Sequence, residues 1–237
     1  MRVKEKEQQM RAYLDPHEIE RMEEAAACLR DRLLIRLLFY LGCRVSEALA
    51  LTTEDIDLSR GLVSIIHLKS RVKLCCPDCE ARLSKTHRFC PGCGGSVAHV
   101  TRREAEHRRL RTLPLDSRTL AMFKYYIARD GPVYQRGKKF IFGINRYRGW
   151  RIVRDCADRA GILPLVNPET GKARGVSPHR LRDAFAVHAM KLDDSGDGLR
   201  LLQEHLGHAS FDTTAKYRKV AGEEHREWYQ KLWGEET

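Results

Sequence analysis

Apolar residues recur every three or four positions over most of the chain and every second position over two short stretches, so helix dominates the expected structure. LDPHE (14–18) reads as a helix start. Asp15 sits at the N-cap, Pro16 at the first helical position and Glu18 closes a capping box, with Leu14 and Ile19 placed for a hydrophobic staple. The helix continues through IERMEEAAACL. RDRLLIRLLFYL is apolar over most of its circumference, which predicts a helix deep in the core. Gly42 can stop it, and CRVSEALAL begins another short helix. After turn-rich TTEDIDLSRG, LVSIIHL has the β-branched residues of a strand, and RRLRTLPL is the returning strand. Residues 117–129 and 148–160 are predicted helices, the second with a basic face, with the short strand KFIF between them. NPETGKARG is a loop. SPHRLRDAFAVHAMKL, LRLLQEHLG, residues 212–218 and an amphipathic EEHREWYQKLW tail are helical. The expected class is mainly α with one small antiparallel β-hairpin (α+β). The longest apolar run, LLIRLLFYLG, is broken by Arg36 and too short to span a bilayer, and MRVKEKEQQMR lacks the apolar segment of a secretory signal. A soluble cytoplasmic protein with no membrane partner is expected.

Charge and cysteine usage narrow this outline. Lys and Arg total 43 against 32 Asp and Glu, a net charge of +11 that attracts polyanions, of which nucleic acid is the commonest. Four of the eight cysteines form two pairs, Cys76-x-x-Cys79 and Cys90-x-x-Cys93, while Cys28, Cys43, Cys75 and Cys156 follow no pairing pattern. Without a secretory signal this favours metal over disulfides. Proline follows the first cysteine of each pair, and Gly94–Gly95 suits a tight knuckle. Four thiolates favour a closed tetrahedral structural Zn²⁺ site, with Cys75 a bystander and His87 the substitute ligand should one cysteine prove free.

Tyr217 stands nine residues after His208, in a polar segment that has no need of an aromatic ring. Upstream, Ser177-Pro178-His179-Arg180-Leu181-Arg182 is a capped helix start that places His179 and Arg182 on one face of the first turn, beside backbone N–H groups that can cradle phosphate. By itself this is an ordinary basic helix start. In order along the chain, however, stand LGCRVSEAL (41–49), HRLR (179–182) and LGH (206–208) followed by Tyr217. Together they resemble the tyrosine recombinase (phage integrase) family, whose catalytic domain carries G-x-R-x-S-E, then H-x-x-R, then L-G-H and a tyrosine nine residues on. The resemblance runs from about residue 11 to about residue 220, apart from the cysteine segment.

The residue types suit phosphodiester cleavage by a side chain, which needs a nucleophile, cations for the phosphorane charge and an acid for the departing oxygen. Arg44 and Arg182 can present planar forks to non-bridging oxygens, and His179 and His208 can donate hydrogen bonds or move the tyrosyl proton. Glu47, three residues from Arg44, is placed to orient it. The resemblance implies that Tyr217 is the nucleophile and that a lysine at the end of the hairpin strand is the general acid. Lys69 occupies the matching place, with Lys73 close enough to compete. It implies cleavage of double-stranded DNA through a 3′-phosphotyrosyl intermediate, with neither ATP nor a catalytic metal.

The implied domains are a catalytic domain over 11–69 and 108–220, an inserted zinc ribbon over 70–107 and a tail helix over 221–237 that docks on a neighbour in a synaptic tetramer. Arg102, Arg103, Arg108, Arg109 and Arg111 flank the hairpin and are expected phosphate contacts. Only about a dozen residues precede the first helix, so the family's N-terminal core-binding domain is expected to be missing, its grip replaced by the ribbon or by an accessory DNA-binding protein. The expected location is the nucleoid. Rival readings are a type IB topoisomerase, a non-catalytic zinc-ribbon DNA-binding protein and a metal-dependent nuclease. Cleavage in EDTA excludes the last.

Overall fold

Asp15 accepts the backbone N–H of Glu18 at 2.8 Å, and the Glu18 carboxylate accepts that of Asp15 at 3.2 Å. This reciprocal cap starts α1 (Pro16–Glu24) at the proline. The computed structural model describes residues 12–66, 71–84, 86–97, 101–105, 110–167, 170–208 and 210–217. They form two compact units, one made of the chain before Ile66 together with that from Arg111 onward, the other spanning Ile66–Leu110. Among the described residues no helix is long and apolar enough to cross a membrane.

The first unit is built round α2 (Leu29–Tyr40), buried from Leu33 to Phe39 and packed against α1, α4 (Ser117–Ala128) and α6 (Pro178–Leu192). One polar residue lies within that buried run. Arg36 donates to Glu23 at 3.0 and 3.2 Å, to Asp116 at 2.7 Å and to Thr119 at 2.6 Å, and its guanidinium lies 4.0 Å from the Tyr40 ring centroid. A cation so buried is tolerated because two carboxylates and a hydroxyl satisfy it.

α3 (Val45–Leu49) packs on α5 (Arg146–Arg159), and α6 on α7 (Gly196–Leu206), which α8 (Asp212–Ala215) follows. β1 (Ile56–Asp57), β2 (Leu62–Ile66) and β6 (Leu110–Pro114) form a sheet with β2 in the middle and the antiparallel register Ile56↔Val63. The expected hairpin is thus present, with the cysteine segment inserted between its strands. β8 (Lys138–Phe140) takes up the start of the expected strand KFIF, but its partner β7 (Val133–Gln135) and the ribbon of β9 (Leu165–Val166) with β10 (Ala173–Arg174) were not foreseen. β7 is exposed along its whole length, so it shows none of the alternation that marks a half-buried strand.

The second unit has a three-stranded sheet in which β3 (Arg71–Cys75) lies between β4 (Arg82–Leu83) and β5 (Thr101–Ala105), with Lys73 opposite Arg103 and Leu74 opposite Arg102. Its two cysteine loops share one backbone pattern. Glu80 N–H donates to the Cys76 carbonyl at 3.0 Å as Gly94 N–H does to Cys90 at 2.9 Å. Cys76 N–H donates to Ala81 at 3.0 Å as Cys90 N–H does to Gly95 at 2.8 Å. The fourth residue after the first cysteine has a left-handed backbone in both, Glu80 at φ +59° and Gly94 at φ +73°.

Candidate active site

Two glycine turns bring the site together. α2 ends at Gly42 (φ +52°), where a Cβ would lie 2.5 Å from the Phe185 ring. α7 ends at Gly207 (φ +65°), where a Cβ would lie 2.5 Å from an Arg111 nitrogen. Arg182, on the buried side of α6, ties the two turns together. Its Nη1 donates to the Gly42 carbonyl at 2.6 Å and its Nη2 to the Leu206 carbonyl at 2.7 Å. The L-G boxes therefore have a physical reason, since each closes a helix and offers a carbonyl to the same arginine.

Glu47 is the negative centre. Its carboxylate accepts from the Arg44 backbone at 2.9 Å, from Arg44 Nη1 at 2.8 Å and from Arg111 Nη2 at 2.7 Å, with Arg182 Nη1 at 3.9 Å. Burial would raise its pKa, but Arg111 and Arg44 overcome that and hold it at about 2. Arg44 is the member that solvent reaches, with 27% of its side chain exposed. Burial, with Arg44 beside it, pushes Arg182 down to about 10, still a cation at neutral pH.

His208 Nε2 lies 3.0 Å from Arg182 Nη2, and Nδ1 lies 2.9 Å from Thr214 Oγ1. A guanidinium can only donate, so Nε2 is the acceptor and the imidazole proton sits on Nδ1, directed at Thr214. Burial and then Arg182 push His208 down to about 3, so the ring is neutral. Tyr217 is buried and stacks on it, with ring centroids 6.4 Å apart and planes 16° from parallel. The Tyr217 hydroxyl donates to Asp183 Oδ1 at 2.7 Å. Burial, and then the Asp183 charge, raise its pKa well above that of an ordinary phenol.

The structure thus gathers Arg44, Arg182, His208 and Tyr217. His179 does not share the buried face with Arg182. It is 68% exposed, with Nε2 3.9 Å from Asp183 Oδ1. The Ser177 hydroxyl makes no cap bond, although its backbone is extended as an N-cap requires. Lys69, Arg108 and Arg109 lie outside the described residues; Arg102 and Arg103 lie on β5. Arg111 departs from expectation. It was expected as a phosphate contact; it is 11% exposed, and besides Glu47 it donates to the Leu206 carbonyl at 2.6 Å, so its guanidinium braces the site from within the fold. Period-two alternation held that signal, since Arg111 shares the inward face of β6 with buried Leu113. Asp183 and Thr214 gave no such sign.

In the second unit the Sγ atoms of Cys76, Cys79, Cys90 and Cys93 all lie within 4.8 Å of one another. The pairs Cys76–Cys93 and Cys79–Cys90 stand 3.7 and 3.4 Å apart. A disulfide needs about 2.0 Å, whereas a zinc ion bonded at about 2.3 Å to four sulfurs sets them about 3.8 Å apart. The four thiols fit zinc, and His87 and Cys75 stand outside the cluster.

The model of the phage integrase family matches residues 12–87 and 94–224, and the chain belongs to that family. The tyrosine recombinase XerD of Bifidobacterium longum (strain NCC 2705) is 31% identical over 216 residues, 87% of this chain and 57% of that protein. The chain spans about half the length of the curated relatives it matches. The fold is that of the crystal structure of XerA recombinase, with a TM-score of 0.61 at 22% identity over 94% of this chain and 64% of that one. It is also that of the XerH site-specific recombinase bound to a palindromic difH substrate, with a TM-score of 0.57 at 20% identity over 95% of this chain and 54% of that one.

Proposed function

We propose that this chain carries the catalytic centre of a site-specific recombinase that cuts and rejoins double-stranded DNA through a 3′-phosphotyrosyl bond to Tyr217. One observation carries the reading. Three guanidiniums surround the Glu47 carboxylate beside a buried tyrosine that a second carboxylate, Asp183, holds, and the cluster keeps a surplus of positive charge suited to a phosphate and better to a phosphorane. Arg44 and Arg182 take the non-bridging oxygens, and Glu47 and Arg111 hold them in place. Neutral His208 keeps Arg182 aimed through its Nε2 and is itself oriented by Thr214. His179, open to solvent, adds a further hydrogen bond to the bound phosphate. Lys69 protonates the departing 5′-oxygen, with Lys73 the competing candidate. The bond energy is kept in the covalent intermediate, so the chemistry needs neither ATP nor a metal.

The catalytic domain is assigned to 11–69 and 108–220, the ribbon to 70–107 and the docking helix to 221–237. Cys76, Cys79, Cys90 and Cys93 would hold one structural Zn²⁺, which fixes the two loops against each other. Arg102, Arg103, Arg108 and Arg109 contact phosphates. Partners are DNA, further copies in a synaptic tetramer and an accessory DNA-binding protein, within the nucleoid. A nicked suicide substrate incubated in EDTA tests the reading. A covalent protein–DNA band should form with the native chain and vanish in Tyr217→Phe while DNA binding persists. A band that survives in Tyr217→Phe, or that requires a divalent metal, contradicts it.

A further inference from the structure

A phenol that attacks phosphorus must lose its proton, and His208 is not placed to take it. Its Nε2 accepts from Arg182, its Nδ1–H is directed at Thr214, and its ring lies near-parallel to that of Tyr217 with centroids 6.4 Å apart. The Tyr217 hydroxyl points elsewhere. It donates at 2.7 Å to Asp183 Oδ1, on a side chain only 7% exposed. Asp183 follows Arg182 directly in α6, so one helical turn presents a phosphate-binding cation and a carboxylate to adjacent parts of the site. His179 Nε2 and Arg180 Nη1, from the same helix, stand 3.9 and 3.5 Å from the Asp183 oxygens. Beyond the phenol, Lys216 Nζ lies 4.7 Å from the Tyr217 ring centroid.

We propose that Asp183 is a catalytic residue: it aligns the Tyr217 hydroxyl and accepts its proton as the phosphotyrosyl bond forms. This rests on Tyr217 being the nucleophile. In the resting state the proton stays on the phenol, whose pKa burial and the neighbouring negative charge raise. As the Tyr217 oxygen bonds to phosphorus its basicity collapses, and transfer to Asp183 becomes downhill. The Oη–P bond forms and the P–O5′ bond breaks. The phenolic proton passes to Asp183, while the departing 5′-oxygen takes one from the general acid. In religation the sequence reverses, and Asp183 returns the proton to the leaving phenol.

The test compares covalent-complex formation on a saturating suicide substrate by the native chain, Asp183→Asn and Tyr217→Phe. Asparagine keeps the shape and an acceptor oxygen but cannot take the proton. Asp183→Asn should therefore bind DNA normally yet form the complex about 10²-fold more slowly. Fluorinated tyrosine at 217, whose phenol ionises more readily, should restore about tenfold to Asp183→Asn and much less to the native chain. A purely structural role for Asp183 would give no such rescue. A rate in Asp183→Asn within about threefold of native overturns the proposal. A faster rate also overturns it, because Asp183 would then be restraining the nucleophile. Should Asp183→Asn not fold, fluorination in the native chain decides. A change below about threefold supports a base, and a rise that tracks phenol acidity contradicts one. Adduct formation by Tyr217→Phe would instead sink the nucleophile assignment itself.

Discussion

Two buried arginines in the first unit face opposite electrostatic settings. Arg36, in the middle of α2, donates to Glu23, Asp116 and Thr119; burial works against its charge, but those partners outweigh burial and raise its pKa. Arg182, in α6, donates to two backbone carbonyls and a neutral imidazole, and shares one carboxylate with Arg44 and Arg111. Its pKa is pushed down to about 10. Both side chains are buried, so depth does not distinguish a structural cation from a functional one. Neutralisation of the buried charge does. Arg36 is matched by Glu23 and Asp116, with Arg32 and Arg118 reaching Glu23 only at 3.8 and 3.7 Å from more exposed positions, whereas the cluster round Arg182 keeps a buried surplus that an incoming anion can satisfy.

The largest expected effect separates the two directly. Arg36→Ala removes the hydrogen-bonding partner of buried Glu23, leaving only the longer ion pairs to Arg32 and Arg118, and should cost about 3–5 kcal/mol of stability, read by chemical denaturation. Arg182→Ala frees the Gly42 carbonyl and His208 Nε2, whereas Arg111 still holds the Leu206 carbonyl. It should cost about 1–3 kcal/mol, while slowing cleavage on saturating DNA about 10²–10³-fold. If Arg182→Ala cost as much stability as Arg36→Ala and left cleavage intact, the distinction between the clusters would fail.

Acid titration sharpens the comparison, because the site holds a buried imidazole and the Arg36 cluster does not. His208 has its pKa depressed from 6.5 to about 3 on folding, so its stabilising contribution is complete above pH 6.5 and is lost as pH falls towards 3. Denaturation midpoints of the native chain should decline through that window, and His208→Gln should reduce the slope, His179 and His205, whose pKa values folding also lowers, supplying part of the rest. An unchanged slope would place the titrating group elsewhere.

Part of the fold and of the site was legible in the sequence, the contrast between Arg36 and Arg182 was not, and the omissions have a common cause. The Asp15–Glu18 cap and the apolar circumference of α2 are local patterns, set by helix geometry over a few residues, whereas Arg44, His179, Arg182, His208 and Tyr217 were picked out by the resemblance of three short boxes to the tyrosine recombinase family. Arg111 was grouped with its charged neighbours, although its alternation with Leu113 pointed inward. Asp183 could not be read as a partner of Tyr217, since 34 residues and the whole of α7 separate them. β7 exposes Tyr134 at 72% and so has no hydrophobic pattern to betray it. Local order is written in neighbouring residues; long-range polar pairs appear only once the helices pack.

The smallest effect expected on the first unit comes from the second. Purified protein should carry one zinc per chain, and Cys76→Ser should release it. The unfolding of the first unit should stay unchanged, because its core cluster contains none of the four thiols. DNA affinity should fall more than the rate of the chemical step. Collapse of the whole fold on metal loss would make the ribbon integral to the core.

The account stands on Tyr217 as the residue that becomes bonded to DNA. Trapping the native chain on a suicide substrate, digesting both polymers and sequencing the nucleotide-bearing peptide by mass spectrometry reads that directly. A 3′-phosphonucleotide on Tyr217 is the predicted result. The same adduct on Tyr229 or any other side chain, or linkage through a 5′-phosphate, would contradict it.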